Sequence, residues 1–266
     1  MKQIPNIFTL VNLFLGCAAI IYIAQPGLAP VFNNTNADYL TAGTNTEGSQ
    51  FISIPEQAVI ASALIGLAAV VDFLDGFVAR LFKAASDLGK QLDSLADVVS
   101  FGVAPGMIIY QFLRMSYAQQ PDGIETNILF LMPAFLVPCA GAYRLARFNI
   151  DTQQSYGFKG VPIPAVGLLI AAFPLIYWSG GKEWLTVLLT NRWFWYAVIV
   201  VVSWLMVSTL PMMALKFKNL TVKDNWPKFL LVAIAVIAGI FLQWLAVPFV
   251  FVVYVVLSLL IKPKAS

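Results

Sequence analysis

The chain has 266 residues, of which 60% are hydrophobic and 11% charged, with a formal net charge of +3 and no histidine. Soluble domains carry roughly 25% charged and about 45–50% apolar residues, so this composition excludes an ordinary soluble fold. The missing histidine excludes imidazole acid–base chemistry and histidine metal ligation, while the small net charge decides nothing, because placement of cations matters more than their sum in a membrane.

In chain order, apolar runs of about 20 residues predict spanning helices. Eight are expected, over about 7–24, 55–82, 88–113, 127–147, 161–179, 193–214, 228–243 and 245–261, giving an all-α integral membrane protein. The last two are joined only by "QWLAVP" (Gln243–Pro248), which demands a tight turn. Residues 1–24 are read as a first span rather than a cleaved signal. Their n-region has one lysine, and Thr9 and Asn12 interrupt the apolar stretch. Cys17 and Cys139 each lie inside an apolar run, without disulfide-framework or metal spacing, and are expected to be packing residues.

Lysine and arginine orient the bundle. With eight alternating spans and a cytoplasmic N-terminus, thirteen of the sixteen cations fall inside, and only Arg114, Lys182 and Arg192 fall outside. This asymmetry places both termini in the cytoplasm. The polar stretch Asn33–Gln50, free of Lys and Arg, then reads as an external loop.

The second and third helices carry the unusual chemistry. Asp72 and Asp75 are spaced i,i+3, and Asp93 and Asp97 i,i+4, so each pair shares one helix face. Both pairs fall in the inner half of the bilayer. Each carboxylate facing lipid at the bilayer centre would cost about 2.5–3.5 kcal/mol, so the four must face the protein interior and meet positive charge. Arg80 alone cannot balance four anions. Two divalent cations can, and oxygen-only ligands suit Mg²⁺, Mn²⁺ or Ca²⁺. On the residues alone, a proton or ion pathway, or a set of structural ion pairs, remains an alternative. Asp87 lies off this face and is read as solvated. Gly76 and Ala79 are small residues beside the first pair that permit close approach to the backbone, and Gly89 extends the second face one turn earlier.

Read in order, the acids form Asp72-x-x-Asp75-Gly76-x-x-Ala79-Arg80, eight residues, then Gly89-x-x-x-Asp93-x-x-x-Asp97. This resembles the CDP-alcohol phosphatidyltransferase signature at all eight fixed positions. The resemblance implies a six-helix membrane core, active at the cytoplasmic side, that transfers a phospho-alcohol group from a CDP-linked donor to an alcohol with release of CMP. It implies Asp72, Asp75, Asp93 and Asp97 as ligands of two divalent cations, Mg²⁺ or Mn²⁺. Gly76, Ala79, Arg80 and Gly89 would take the donor nucleotide and phosphates, and Asp97 would double as the base. A carboxylate tightly bound to a metal is a poor base, so that last role requires Asp97 to be loosely ligated.

Further segments are similar to the phosphatidylserine synthase branch of that family: "IPNIFTLVNLFLG" (Ile4–Gly16), "LDSLADVVSFGVAPG" (Leu92–Gly106), "YRLARFN" (Tyr143–Asn149), "FKGVPIPA" (Phe158–Ala165) and, more faintly, "LMVSTLPMMALKFK" (Leu205–Lys218). They imply CDP-diacylglycerol and L-serine as substrates, within the lipid bilayer. Another acceptor alcohol of the same family is the first alternative, and a cation or proton transporter the second. No nucleic-acid partner is expected, and a homodimer is compatible with the chain. The likeness divides the chain into a catalytic membrane domain over 1–218, with its motif at 72–97, and a two-helix extension over 219–266. Arg144 and Arg147, spaced i,i+3, either anchor the chain to anionic lipid or bind the acceptor carboxylate or donor phosphate. Lys159 is read the same way. Thr9 and Asn12, also i,i+3, either hydrogen-bond the nucleotide or make a contact between helices.

Overall fold

The computed structural model describes residues 4–24, 43–44, 50–51, 57–81, 86–119, 126–150, 158–179, 183–213 and 222–260. They are overwhelmingly helical. Helix α1 (Ile4–Ala24) packs along α2 (Ala58–Leu81). Helix α3 (Asp87–Val98) runs through a widened π turn (Val99–Val103) into α4 (Ala104–Ala118), making one 32-residue helical stretch. At about 1.5 Å per residue, that stretch exceeds the roughly 30 Å hydrocarbon core, so its polar α3 end, opened by the Ser86 cap, has length to spare. Two 3₁₀ turns (Ile128–Phe130 and Met132–Phe135) lead into α5 (Leu136–Ile150). Helices α6 (Ile163–Trp178), α7 (Glu183–Leu189) and α8 (Arg192–Val207) follow. A final hairpin joins α9 (Val222–Leu242) to α10 (Ala246–Leu260).

Five helical stretches are long and apolar enough to cross a membrane, and α7 with α8 forms a sixth candidate bent by 68°. The protein therefore spans the membrane. Length and composition alone leave the exact count of eight expected from hydropathy unsettled, and three features bear on it. Helix α6 has 16 residues, short for a span. Helix α7, absent from the sequence reading, precedes α8 across the bend. The stretch Asn225–Leu260 is helical nearly throughout, but it turns at Gln243, whose φ is +50°, and α9 and α10 pack against each other there. That is the tight turn expected at "QWLAVP".

The π turn is the hub of the bundle. An extra residue in the turn, closed by Ala104 N–H donating to the Val99 carbonyl, buries Ser100, Phe101 and Gly102 against three different helices. Ser100 Oγ donates to the Asn12 carbonyl on α1 at 2.9 Å, and a Cβ on Gly16 would sit 2.8 Å from Ser100 Cα. Beyond it, Phe112 stacks on Trp195 of α8 with centroids 4.3 Å apart. Trp195, fully buried, satisfies its indole N–H on the Leu189 carbonyl at 2.7 Å, which fixes α7 against α8. The side chains of Cys17 and Cys139, expected inside the packing, are instead exposed on the outer faces of α1 and α5, and both are free thiols.

Two short strand pairs complete the fold. β1 (Gly43–Thr44) pairs with β2 (Gln50–Phe51), at the end of the stretch read as an external loop. β3 (Phe158–Lys159) pairs antiparallel with β4 (Pro211–Met212). The next residue after β3, Gly160, has φ +77° and donates its N–H to the Leu210 carbonyl at 2.9 Å. A side chain there would need a left-handed backbone and would also meet the Ser208 carbonyl at 3.0 Å, which explains the glycine of "FKGVPIPA". Pro162 caps α6 and Pro164 lies in its first turn, where missing amide donors are tolerated.

Candidate metal centre

The two acid pairs meet where the late turns of α2 face the early turns of α3. One carboxylate oxygen from each of Asp72, Asp93 and Asp97 lies within 4.8 Å of the other two. Asp97 is buried, and Asp72 and Asp93 are half-buried. At an effective dielectric of about 20, carboxylates this close repel by on the order of 3 kcal/mol per pair. An all-oxygen set of this kind suits a hard divalent cation, so the residues fit the metal that the sequence implies, with a pocket of anionic ligands drawn from two helices.

Asp75 stands apart from this cluster. One turn along α2 from Asp72, it turns towards α1 and accepts a hydrogen bond from Thr9 Oγ1. The Thr9 hydroxyl also lies 3.3 Å from the Pro5 carbonyl. The structure thus brings three of the four expected ligands together and places the fourth beside them, held by a threonine. Asn12, one turn after Thr9, reaches the other acid pair: its Nδ2 donates to Asp97 Oδ1 at 3.5 Å. Both α1 side chains are buried, at 2% and 0% exposure. Both make contacts between helices, Thr9 to Asp75 and Asn12 to Asp97.

The donor side is only partly described. Gly76 is half-buried on α2. The side chains of Ala79 and Arg80 lie outside the described residues. Gly89 donates its N–H to Ser86 Oγ at 3.0 Å, and a Cβ there would crowd Asn6 Oδ1 and Ser86 Oγ, each at 3.1 Å. The glycine therefore lets the cap of α3 approach α1. Asp87, in the first turn of α3, is exposed, as read from the sequence.

The two arginines of "YRLARFN" separate cleanly. Arg147 donates to the carbonyls of Val207 at 2.7 Å, Ser208 at 2.8 Å and Lys159 at 3.3 Å. It ties the end of α5 to the end of α8 and to β3. Lys159 has an exposed side chain on β3 and contributes its carbonyl to that clamp. Arg144 is buried within electrostatic range of Asp97, and its Nε has no hydrogen-bond partner among the described residues.

Sequence reasoning missed a further polar link at this end. Lys90 Nζ donates to the Asn149 carbonyl at 3.1 Å, and Asn149 Nδ2 donates to Ser94 Oγ at 2.8 Å. The Asn149 of "YRLARFN" thereby fastens α5 to the acid-bearing face of α3. Its place in that motif was the available signal.

Comparison with known proteins fits this geometry. The CDP-alcohol phosphatidyltransferase family profile matches residues 2–192, an interval that contains every acid of the cluster. A protein of Helicobacter pylori (strain J99) named CDP-diacylglycerol–serine O-phosphatidyltransferase is 34% identical over 174 residues, covering 65% of this chain and 57% of that protein. A protein of the same name from Mycobacterium tuberculosis (strain H37Rv) is 32% identical over 194 residues, covering 70% of this chain and 62% of that one. A third from Methanocaldococcus jannaschii reaches 44% over 111 residues, covering 42% and 48%. The chain thus spans about half to three fifths of the length of these relatives. With the match running through both acid pairs and well over half of its length, the chain belongs to the CDP-alcohol phosphatidyltransferase family.

Proposed function

We propose that this protein transfers the phosphatidyl group of CDP-diacylglycerol to the hydroxyl of L-serine, giving phosphatidylserine and CMP. The observation that carries the reading is the convergence of Asp72, Asp93 and Asp97 oxygens within 4.8 Å inside a membrane bundle, in a family defined by that chemistry. The printed names of the relatives support serine as the acceptor.

Asp72, Asp93 and Asp97, joined by Asp75, would hold two divalent cations, Mg²⁺ or Mn²⁺. When bound, such cations neutralise a pyrophosphate and stabilise the charge that develops on its oxygens. The chain's own residues do the rest by positioning, which dominates phosphoryl transfer. Gly76, Ala79, Arg80 and Gly89 receive the CDP portion. Arg144 takes the serine carboxylate in a bidentate pair. The serine hydroxyl oxygen forms a bond to the phosphatidyl phosphorus as the bond from that phosphorus to the CMP oxygen breaks. The hydroxyl proton passes to Asp97, and CMP leaves with the bonding pair. Asn12 keeps Asp97 oriented through its amide.

The site end of the bundle carries Lys90, Arg144 and Arg147, whereas Arg192 stacks over Tyr117 at the opposite end. This distribution supports a site opening to the cytoplasm, with both termini on that side. The decisive experiment gives purified protein in detergent labelled serine and CDP-diacylglycerol, with and without Mg²⁺ or Mn²⁺. Labelled lipid and CMP should appear in equal amounts and only with the cation. Transfer to glycerol 3-phosphate but not serine would overturn the acceptor assignment, and absence of any transfer in detergent together with cation flux in sealed proteoliposomes would overturn the enzyme reading.

A further inference from the structure

Beside the acid cluster, α3 and α5 share a closed ring of three hydrogen bonds. Lys90 Nζ on α3 donates to the Asn149 carbonyl on α5 at 3.1 Å, Asn149 Nδ2 donates back to Ser94 Oγ at 2.8 Å, and Ser94 Oγ donates to the Lys90 carbonyl at 3.0 Å. Ser94 spends its proton within α3, so its oxygen meets Asn149 as an acceptor. The two bonds between the helices run in opposite directions and both end on Asn149. One bond would act as a hinge, whereas two fix the separation of α5 from α3 and also its roll about its own axis. The ring closes on the turn of α3 that carries Asp93, one turn before Asp97.

Arg144 lies five residues before Asn149 on the same helix. In space the two ends of the ring meet it through Phe148, whose centroid is 5.8 Å from the Arg144 guanidinium carbon and 5.9 Å from Lys90 Nζ. Arg144 is 5% exposed, and its Nε has no hydrogen-bond partner among the described residues. Nε with its neighbouring amino group is one edge of the fork that takes a carboxylate, and no bond to that edge fixes it, so its place follows that of α5. At a side-chain radius of about 5–6 Å, a roll of about 20° would carry the end of a side chain about 2 Å, more than hydrogen-bond geometry tolerates.

We propose that Asn149 is a positioning residue: with Ser94 and Lys90 it locks the roll of α5 against α3 and so holds the Nε edge of Arg144 where the acceptor carboxylate binds. This rests on the serine reading above. The role is confined to the acceptor. The clustered acids come from α2 and α3, which the ring does not join to each other, so loosening α5 leaves the metal ligands and the donor in place.

The test uses the full chain in detergent and compares Asn149→Ala, Ser94→Ala, Arg144→Lys and the double variant that combines Asn149→Ala with Arg144→Lys. Asn149→Ala should raise the KM for serine about tenfold while kcat and the KM for CDP-diacylglycerol stay within about twofold, the signature of lost acceptor binding. Ser94→Ala, which removes the other partner of the same bond, should raise the serine KM to a similar extent, and it decides alone if Asn149→Ala does not fold. Because Asn149 acts through Arg144, the two losses should overlap, and the double variant should show a serine KM within about twofold of Arg144→Lys alone. The proposal is overturned if the asparagine and serine variants lower thermal stability with the serine KM unaltered, or if the effects multiply in the double variant, since the ring would then only fasten two helices. If the wild-type protein transfers nothing to serine, the serine reading fails and this proposal falls with it. Serine transfer by the wild type with an unaltered KM in the variants overturns the role of Asn149 alone.

Discussion

Asn12 and Asp97, 85 positions apart in sequence, meet between α1 and α3 through an amide-to-carboxylate hydrogen bond of 3.5 Å. Among the described residues Asn12 Oδ1 is buried without a partner, so the side chain gives up one hydrogen bond to present its amide to the acid. Hydrogen bonds to charged groups contribute about 1.5–3 kcal/mol, and Asn12→Ala should therefore lower turnover by roughly ten- to a hundredfold. Asn12→Asp, which adds a fourth anion to the cluster, should lose more. Steady-state rates at saturating donor and serine decide this, and equal activity in all three proteins would remove Asn12 from the site.

The acids should divide by their neighbours. Asp72→Asn, Asp93→Asn and Asp97→Asn should each reduce turnover by about a thousandfold or more, with helical circular dichroism and elution in detergent unchanged, because removing one member of an electrostatic site typically costs on the order of 10²–10³ or more. Metal-stripped protein in chelator should be inactive and recover with Mg²⁺ or Mn²⁺. Full activity in chelator would exclude the cation mechanism.

Asp75 offers a sharper test, because its contact with Thr9 competes with a role in the cluster. Asp75→Asn should lower turnover by about a hundredfold. Thr9→Val, which frees the carboxylate, should change turnover by less than about fivefold and lower the Mg²⁺ concentration for half-maximal activity. A loss in Thr9→Val as large as in Asp75→Asn would mean that the hydroxyl contact itself is what activity needs.

Arg147 is expected to matter for stability rather than binding. Its three carbonyl contacts join α5, α8 and β3. Arg147→Ala should destabilise the folded protein by about 2–4 kcal/mol, from charge-assisted bonds lost in a partly buried setting, read as a lower thermal midpoint in detergent. The KM for serine should stay unchanged in the surviving folded fraction.

Orientation is tested by labelling. In a background lacking Cys17 and Cys139, Gly43→Cys and Asn219→Cys should react with impermeant thiol reagents from opposite faces of intact cells. Reaction from one face only would break the alternating topology and the cytoplasmic placement of the site.

The acid cluster was legible because helical spacing is rigid: i,i+3 and i,i+4 carboxylates must share a face, and three of the four meet as that rule requires. Asp75 shows where the rule stops. Spacing fixes the face of a side chain but not which neighbouring helix it meets, and α1 supplies Thr9. The same limit hid the difference between Arg144 and Arg147, which look equivalent one turn apart. Only the tertiary fold brings the carbonyls of Val207 and Ser208 beneath one of them. Hydropathy located the apolar helices but not α7, because seven residues leave too short a signal, nor the π turn, which has no breaker residue at its start. Cys17 and Cys139 misled for another reason: in a membrane an apolar position can face lipid as readily as the core.

The widened turn at Val99–Val103 makes residue number, as well as residue type, part of the site's construction. A regular helix advances about 100° per residue, so Asp93 and Asp97 before the turn, and Phe112 after it, are held in phase with their partners by one supernumerary residue. Substitutions in that segment would change contacts locally. A single deletion there would conserve every functional side chain and still swing the acids about a quarter-turn away from Asp72 and Asn12, or else swing Phe112 away from Trp195. Alignments that close a one-residue gap between Asp97 and Ala104 would therefore join chains whose catalytic ends are out of step with their cores.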